Sequence, residues 1–315
     1  MSGIGEMKLK NCEFEKKLKE FVSKPLFDEK IILNKDPNYP KISIVTPSYN
    51  QAKFLERTIL SVLNQNYPNF EYIIIDGGST DGSVDIIKKY EKYLIYWVSE
   101  KDRGQSNALN KGFYKASGDI CGWLNADDLF LPDAFVKVIS VFKLSPNKKI
   151  VFGDYLNIDK NDNILELNYA FNFNLNHFIF EGFHNNAQAT FWRSEVHHRF
   201  GLFDESLYYT MDYDMLLRFA LNEGQKTFKR IPEVLACFRR HPLQKTQSLF
   251  TKRALEEHIK TAKKLGTKRF IKPYKWLRIL YRIRRGYWYL YRGGISYLLS
   301  KILGKYRFSV FFISI

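Results

Sequence analysis

The chain has 315 residues, of which 45% are hydrophobic and 16% aromatic, so it can form a packed core and disorder along its whole length is excluded. Its net charge of +16 is unevenly spread: His258 to Ile315 contain 15 Lys or Arg and no Asp or Glu, which leaves residues 1–257 at +1. The cysteines Cys12, Cys121 and Cys237 form no CxxC pair, which argues against a disulfide framework or a zinc site. We expect each to be a small buried side chain.

The sequence predicts neither an N-terminal export signal nor a membrane-spanning helix. The N-terminal residues are charged where a signal peptide needs an apolar segment, and no apolar stretch reaches the roughly 18 residues that a spanning helix needs. Because no export signal is predicted, we expect a cytoplasmic protein.

A charged helical stretch from Glu13 to Phe21 is followed by three prolines, so residues 1–40 are predicted to be an extension that leads into the main domain.

From residue 41 onward, short β-branched runs alternate with amphipathic helical patterns. The predicted strands are Lys41–Thr46, Tyr72–Ile75, Leu94–Val98 and Ile120–Leu124, and between them lie a helix with Leu55, Ile59, Val62 and Leu63 on one face and helices at Val84–Tyr90 and Ser106–Ala116. This order predicts an α/β fold with a mostly parallel sheet flanked by helices.

Ligands of such sheets bind outside the carboxyl ends of the strands. The loops expected to line that edge are Pro47–Gln51, Asp76–Gly82, Ser99–Gln105 and Asn125–Asp128. Beyond Phe130 the pattern is mixed, with strands at Ile150–Gly153, Ala189–Trp192 and Val234–Phe238, a hairpin at Asp159–Asn163 and a helix from Asp212 to Leu221.

Four motifs carry chemistry-bearing side chains, and each has a structural alternative. Asp127 and Asp128 in Asn125-Ala-Asp-Asp128 follow a strand and suit Mg²⁺ or Mn²⁺, although one Asp could instead cap the next helix. Ile75-Asp-Gly-Gly-Ser-Thr-Asp-Gly-Ser83 lets an anion approach the backbone, or is an ordinary turn; it is not GxGxxG, which disfavours a nicotinamide site.

The two remaining motifs lie later in the chain. Asp212 and Asp214 begin a helix and could either cap it or supply a general base. Phe238-Arg-Arg-His241 with Lys245 is either a solvated basic turn or a site for phosphate or metal.

Together these segments resemble family 2 glycosyltransferases of the GT-A fold. The resemblance rests on Thr46-Pro-Ser-Tyr-Asn50, Asp76-Gly-Gly-Ser-Thr-Asp-Gly-Ser83, Asp102-Arg-Gly-Gln-Ser-Asn-Ala-Leu-Asn-Lys-Gly112, Gly118-Asp-Ile-Cys-Gly-Trp-Leu-Asn-Ala-Asp-Asp128, Gln188-Ala-Thr-Phe-Trp-Arg193, Met211-Asp-Tyr-Asp214 and Arg239-Arg-His241. It covers about residues 41–250, so it implies a GT-A domain there, an extension at 1–40 and a basic helical tail at 251–315.

The resemblance implies metal-dependent, inverting transfer of a hexose-type sugar from a nucleotide-diphosphate sugar to an acceptor hydroxyl, with Mn²⁺ or Mg²⁺. Asp212 is the implied catalytic base and Asp128 and His241 the implied metal ligands. The residues implied to contact the donor nucleotide are Pro47, Tyr49, Asp76, Asp102, Asp127 and Arg239.

Two positions depart from the family pattern. Asn125 replaces the first acidic residue of the metal motif, and Gly77 stands where many members carry an Asp that reads uracil, a role that Asp76 or Asp102 could take instead. Two rival hypotheses are a nucleotidyl- or phosphoryl-transferase, which would also use paired carboxylates, and a basic nucleic-acid-binding protein. The absence of a Gly-Lys-Ser/Thr loop argues against the first hypothesis, and the confinement of the positive charge to the tail argues against the second.

The tail predicts an amphipathic helix on an anionic membrane rather than a nucleic-acid site. Leu277, Leu280, Tyr281, Arg284 and Trp288 fall at helical spacing among many cations. We therefore expect a peripheral enzyme on the inner face of the cell membrane with a lipid-linked or surface-glycan acceptor. The alternative is that these aromatic residues pack on the catalytic domain.

Overall fold

The structure is a computed structural model that describes residues 13–182, 186–242, 244–245, 252–267 and 275–303. Its strands are β1 (Ile42–Ser48), β2 (Phe70–Asp76), β3 (Tyr96–Ser99), β4 (Ile120–Trp123), β5 (Leu129–Phe130), β6 (Ile150–Ile158), β7 (Ile164–Asn168), β8 (Thr190–Arg193) and β9 (Phe228–Arg239). Its helices are α1 (13–21), α2 (Glu29–Asn34), α3 (Ala52–Leu63), α4 (Ser83–Lys89), α5 (Gln105–Lys115), α6 (Ala134–Leu144), α7 (Leu175–Glu181), α8 (Ser194–Phe200), α9 (Met211–Glu223), α10 (Lys252–Lys264) and α11 (Lys275–Leu303).

In the described part of the chain the strands form one sheet in the order β3-β2-β1-β4-β8-β6-β9-β5, with β7 beside β6. The first four strands are parallel to one another, β8 is antiparallel to β4 and β6, and β6 is parallel to β9. Strands β1 and β2 are buried along their whole length because helices cover both faces of the sheet. The predicted α/β class is confirmed.

Two hydrophobic clusters fill the two faces. Alternate residues of β1 divide between them, since Ile42 and Ile44 join one cluster and Val45 the other. The first cluster holds the predicted apolar face of α3 with residues of α4 and α6, and the second holds residues of α5, α8 and α9. Cys121 and Cys237 are buried free thiols, as expected, and burial raises the pKa of both; Cys12 lies outside the described residues.

A third cluster joins the two ends of the described chain. It contains Leu18, Phe21 and Val22 near the N-terminus, several residues of β6 and β7, and Tyr297 of α11. Lys19 Nζ also donates to Asn163 Oδ1 in the β6–β7 hairpin at 2.6 Å. Both segments outside 41–250 therefore contact the body where they are described, while the division into three domains remains a prediction.

Helix α11 packs one side against the body. The Tyr281 ring stacks on Phe180, and the Trp288 ring lies 5.3 Å from that of Phe171. Arg282 and Arg285 form ion pairs with Glu181 at 3.1 and 3.0 Å. Tyr281 and Trp288, which were expected to face lipid, thus contact protein.

The opposite side of α11 carries exposed apolar side chains at helical spacing. They are Trp276, Ile279, Ile283, Tyr287 and Tyr291, with exposed fractions between 59% and 72%. No described helix has an apolar stretch long enough to cross a bilayer.

Candidate active site

The four loops predicted to line one edge of the sheet do so. Ser48 pairs with Asp76, Asp76 with Ser99, and Val45 with Trp123, so the carboxyl ends of β1 to β4 are in register. Pro47 lies just before this edge, buried in β1.

Asp76 organises the glycine-rich loop from inside. Its Oδ2 accepts hydrogen bonds from the Gly78 and Ser79 N–H groups at 3.1 and 2.8 Å and from the Ser99 hydroxyl at 2.7 Å. Its Oδ1 accepts from the Ser79 hydroxyl at 2.6 Å, and the side chain has no exposed surface. Asp76 therefore has a loop-forming role in the structure, and its expected contact with the nucleotide remains a prediction.

Tyr49 and Asp102 are solvent-accessible side chains beside the glycine-rich loop. Tyr49 is 62% exposed. A Cβ atom added to Gly77 would lie 2.9 Å from Asp102 Oδ2 and 3.3 Å from the Tyr49 ring, so the missing side chain allows both residues to approach closely. Asp102 Oδ1 accepts a hydrogen bond from the Gly104 N–H at 2.7 Å, which orients the carboxylate. The structure thus brings Asp102 to the position left open by Gly77.

Asp127 and His241 meet after β4 and β9. The Asp127 Oδ2 and His241 Nε2 atoms are 2.9 Å apart, and the ring of Phe54 packs against the imidazole with centroids 5.0 Å apart. Both side chains keep a small exposed fraction, 16% for Asp127 and 5% for His241. A carboxylate and an imidazole are groups of the types that can bind a divalent cation.

Asp128 lies behind this pair. Its Oδ1 accepts a hydrogen bond from the Arg239 N–H at 2.8 Å and its Oδ2 one from Asn125 Nδ2 at 3.2 Å. The side chain is completely buried, and this burial together with the neighbouring Asp127 raises the pKa of the carboxyl. The Asp128 carboxylate thus joins the loop after β4 to β9, and the expectation that it binds the metal remains a prediction.

Arg239 is also internal. Its side chain has no exposed surface, and its guanidinium forms an ion pair with Asp162 at 2.5 Å. Further hydrogen bonds go to the carbonyl oxygens of Asp127 at 2.6 Å and Asp159 at 3.0 Å. These partners hold the arginine between the Asp127–Asp128 motif and the β6–β7 hairpin, and its expected contact with the donor nucleotide remains a prediction.

Of the two acids at the start of α9, only Asp212 is accessible to solvent. Asp214 is fully buried and pairs with Arg218 at 2.8 Å. Asp212 is partly exposed, and its Oδ1 accepts a hydrogen bond from the Tyr213 N–H at 2.8 Å. Burial raises the pKa of Asp212, opposed by this hydrogen bond and by the charge of Lys245. A carboxylate with a raised pKa is a stronger general base.

The charge of Lys245 acts on Asp212, and its side chain begins a hydrogen-bonded chain that reaches Asn125. Its Nζ donates to Gln105 Oε1 at 2.9 Å, and Gln105 Nε2 donates to Asn125 Oδ1 at 2.8 Å. Burial lowers the pKa of Lys245 to about 8, against the opposing effect of Asp212. Asn125, which departs from the family pattern, is therefore part of a hydrogen-bonded chain.

Sequence reasoning did not single out Gln105 among the site residues. Gln105 lies inside a quoted motif, so its position there was the available signal.

Comparison with known families gives a match over just over half of the chain. Residues 43–208 match the model of glycosyl transferase family 2. An uncharacterised glycosyltransferase of Rickettsia typhi is 32% identical over 227 residues, which cover 70% of this chain and 69% of the relative. The matched segments of three further curated glycosyltransferases are shorter, from 34% to 58% of their own length.

Solved structures show the same fold at low identity. Staphylococcus aureus TarS (residues 1–349) in complex with UDP-GlcNAc has a TM-score of 0.58 at 15% identity, covering 71% of this chain and 65% of that one. The Pyrobaculum calidifontis mannosyltransferase PcManGT in complex with GDP-Man and Mn²⁺ has a TM-score of 0.54 at 17% identity, covering 95% and 83%. The predicted GT-A fold and glycosyltransferase class are confirmed: this chain belongs to glycosyl transferase family 2.

Proposed function

We propose that the protein transfers a sugar, with inversion, from a nucleoside diphosphate sugar to an acceptor hydroxyl with the help of a divalent cation. The observation that carries this proposal is the adjacent pair Asp127 and His241, which lies in the same motif region as the hydrogen-bonded chain Lys245–Gln105–Asn125. The charge of Lys245 also acts on the partly exposed Asp212.

The reaction needs one base and one displacement. The acceptor oxygen bonds to the anomeric carbon as the bond from that carbon to the diphosphate oxygen breaks. Asp212 takes the acceptor proton, and the nucleoside diphosphate leaves with the electron pair. A single displacement on the face opposite the leaving group inverts the anomeric configuration.

The residues at the edge fit a cation that also binds the substrate. In the described chain no three His, Cys, Asp or Glu side chains are grouped closely enough to form a complete metal site. Mg²⁺ and similar ions need only one or two protein ligands when phosphate oxygens complete their shell. Asp127 and His241 would hold the ion, and its charge would neutralise the departing diphosphate. Mn²⁺ in the PcManGT complex supports this choice.

Asp102 is proposed to select the base. The ligands of the two solved relatives, UDP-GlcNAc and GDP-Man, carry bases whose ring N–H can donate a hydrogen bond to a carboxylate. Cytosine and adenine lack that donor, so UDP and GDP sugars are expected to be preferred. Tyr49, exposed beside Asp102, is proposed to stack on the base.

A donor screen tests both the function and this selection. UDP, GDP, CDP and ADP sugars are offered with Mn²⁺ or Mg²⁺, and release of the nucleoside diphosphate is measured with and without an acceptor. Asp102→Asn is expected to raise the donor KM about 10- to 100-fold, since a hydrogen bond to a charged group contributes about 1.5–3 kcal/mol.

Glu100→Gln is the matched control, because Glu100 is an exposed acid beside the same loop that pairs with Lys111. Lack of transfer from every donor would reject the function, whereas an unchanged KM in Asp102→Asn would reject only the base contact.

The exposed side of α11 is proposed to lie on an anionic membrane surface, on the inner face of the cell membrane. Its apolar side chains, between 59% and 72% exposed, stand on a segment that has cations and no acids. Such a surface suits the lipid interface, where each basic residue adds about 1 kcal/mol. The proposed acceptor is therefore a lipid-linked or surface glycan.

The double variant Ile279→Gln/Ile283→Gln tests this placement. Removing two exposed isoleucines should cost about 3 kcal/mol of insertion, so binding to anionic vesicles should weaken about 10²-fold. Flotation with anionic and neutral vesicles measures it. Tyr114→Gln/Leu144→Gln, which alters residues 81% and 84% exposed on α5 and α6, is the control. Equal flotation of both double variants would contradict the placement.

A further inference from the structure

Helix α10 lies outside the family match, yet it contacts the segment that carries Asp212. Lys260 Nζ donates to Ser206 Oγ at 2.8 Å, and Lys264 Nζ lies 2.9 Å from Asp204 Oδ2 and 3.4 Å from Asp214 Oδ1. The contacts recur along one face of the helix, so α10 follows residues 204–214 over their whole length.

The central contact is the carboxylate of Glu257. Its Oε1 accepts a hydrogen bond from the Tyr208 N–H at 3.0 Å, and its Oε2 accepts from the N–H groups of Tyr209 and Thr210 at 2.7 and 3.2 Å. The residue is 7% exposed, and Arg253 Nε pairs with it at 3.2 Å. Three consecutive backbone groups are thus fixed by one side chain from another helix.

This arrangement differs from an ordinary helix cap, because the N–H groups that Glu257 binds lie just before the first turn of α9. The first N–H groups of an α-helix have no partner within it, and a residue at the N-cap usually supplies one. Thr210 occupies that position in α9 but makes no side-chain capping bond. Glu257 instead places a negative charge at the positive end of α9, two residues before Asp212.

We propose that Glu257 is a positioning residue for catalysis, which orients Asp212 by fixing the three peptide groups that lead into α9. The inference rests on the proposed role of Asp212 as the base. A base that is misplaced by about 1 Å can lose on the order of 10²-fold in rate. Lys245 is influenced by the charges of both Asp212 and Glu257, so the two carboxylates share one environment.

Glu257→Gln is the diagnostic variant. The glutamine amide would turn N–H donors toward backbone N–H groups, so at least one of the three hydrogen bonds must be lost. We expect kcat per donor-binding site to fall on the order of 10²-fold, with the donor KM within about twofold because the proposed donor contacts lie on other segments. Glu257→Asp keeps the charge and the acceptors and should recover part of the rate.

Two further measurements separate positioning from general stability. Donor-binding sites are counted by titration with the nucleoside diphosphate and Mn²⁺, which removes the contribution of unfolded protein. Amide hydrogen exchange at residues 208–210 should accelerate in Glu257→Gln but not in Glu256→Gln, the control at a solvent-exposed glutamate on the same helix whose side chain is 62% exposed.

The possible failures are distinguishable. If the wild-type protein transfers no sugar, the proposed function fails, whatever the exchange data show. If the wild type is active and Glu257→Gln keeps its kcat per site, or if exchange at residues 208–210 is unchanged, the positioning role of Glu257 is overturned.

Discussion

Asp212→Asn is expected to lower kcat by about 10²- to 10⁴-fold while leaving donor binding intact, since this is the usual contribution of a positioned general base. Asparagine has nearly the same shape and can still accept the Tyr213 N–H, but it cannot take a proton. Steady-state rates and titration with the nucleoside diphosphate measure the two quantities. Because burial raises the pKa of Asp212, the acidic limb of the wild-type rate profile should lie above the ordinary range of an aspartate.

Asp214→Asn and Asp85→Asn complete this experiment. Asp214 is fully buried and pairs with Arg218, so its neutralisation should mainly lower the free energy of unfolding, by about 3 kcal/mol. Asp85 is an exposed acid in the first turn of α4, and its variant should behave as wild type. A large loss of kcat in a folded Asp214→Asn protein, with Asp212→Asn active, would place the base two residues later.

Removal of the divalent cation is expected to abolish transfer, and variants of Asp127 and His241 should weaken cation binding. Loss of an outer-shell partner of a metal ligand already costs about 10- to 100-fold in affinity, and a direct ligand should cost no less. His241→Ala should therefore raise the Mn²⁺ concentration for half-maximal activity at least about 10-fold. Electron paramagnetic resonance of bound Mn²⁺ gives a readout that does not depend on turnover.

His198→Ala is the matched control, because His198 is an exposed histidine on α8. Chelation with EDTA followed by readdition of Mn²⁺ or Mg²⁺ should restore the wild type. Full activity in EDTA, or an unchanged Mn²⁺ requirement in His241→Ala, would reject the assignment of this pair.

The first half of the fold was predictable because its elements are locally encoded. The apolar spacing of Leu55, Ile59 and Val62 predicts α3, and those side chains are buried in the structure. The parallel pairing of β6 with β9 was not predicted, although both strands were recognised in part, since it joins segments about 80 residues apart. Helix α10 lies within the predicted helical tail, but its packing against the segment 204–214 was not predicted, because that segment is distant in sequence.

The sequence indicated which residues lie near the site, but it did not indicate which of their side chains are exposed there. Asp127, Asp128 and Arg239 lie together as the motifs implied, but a sequence does not say which of two adjacent aspartates faces outward. Strand β9 decides this, because the Arg239 N–H binds Asp128 and leaves Asp127 beside His241. In the tail, α11 has apolar residues on two sides, so periodicity alone could not identify the side that packs on protein.

The third cluster also determines when the N-terminal helix can be buried during synthesis. Leu18, Phe21 and Val22 are made first, but Tyr297, a member of the same cluster, follows about 275 residues later. At about 5–20 residues per second, the cluster remains incomplete for on the order of tens of seconds. Helix α1 is therefore the first described element to leave the ribosome, well before the cluster that contains its apolar residues is complete.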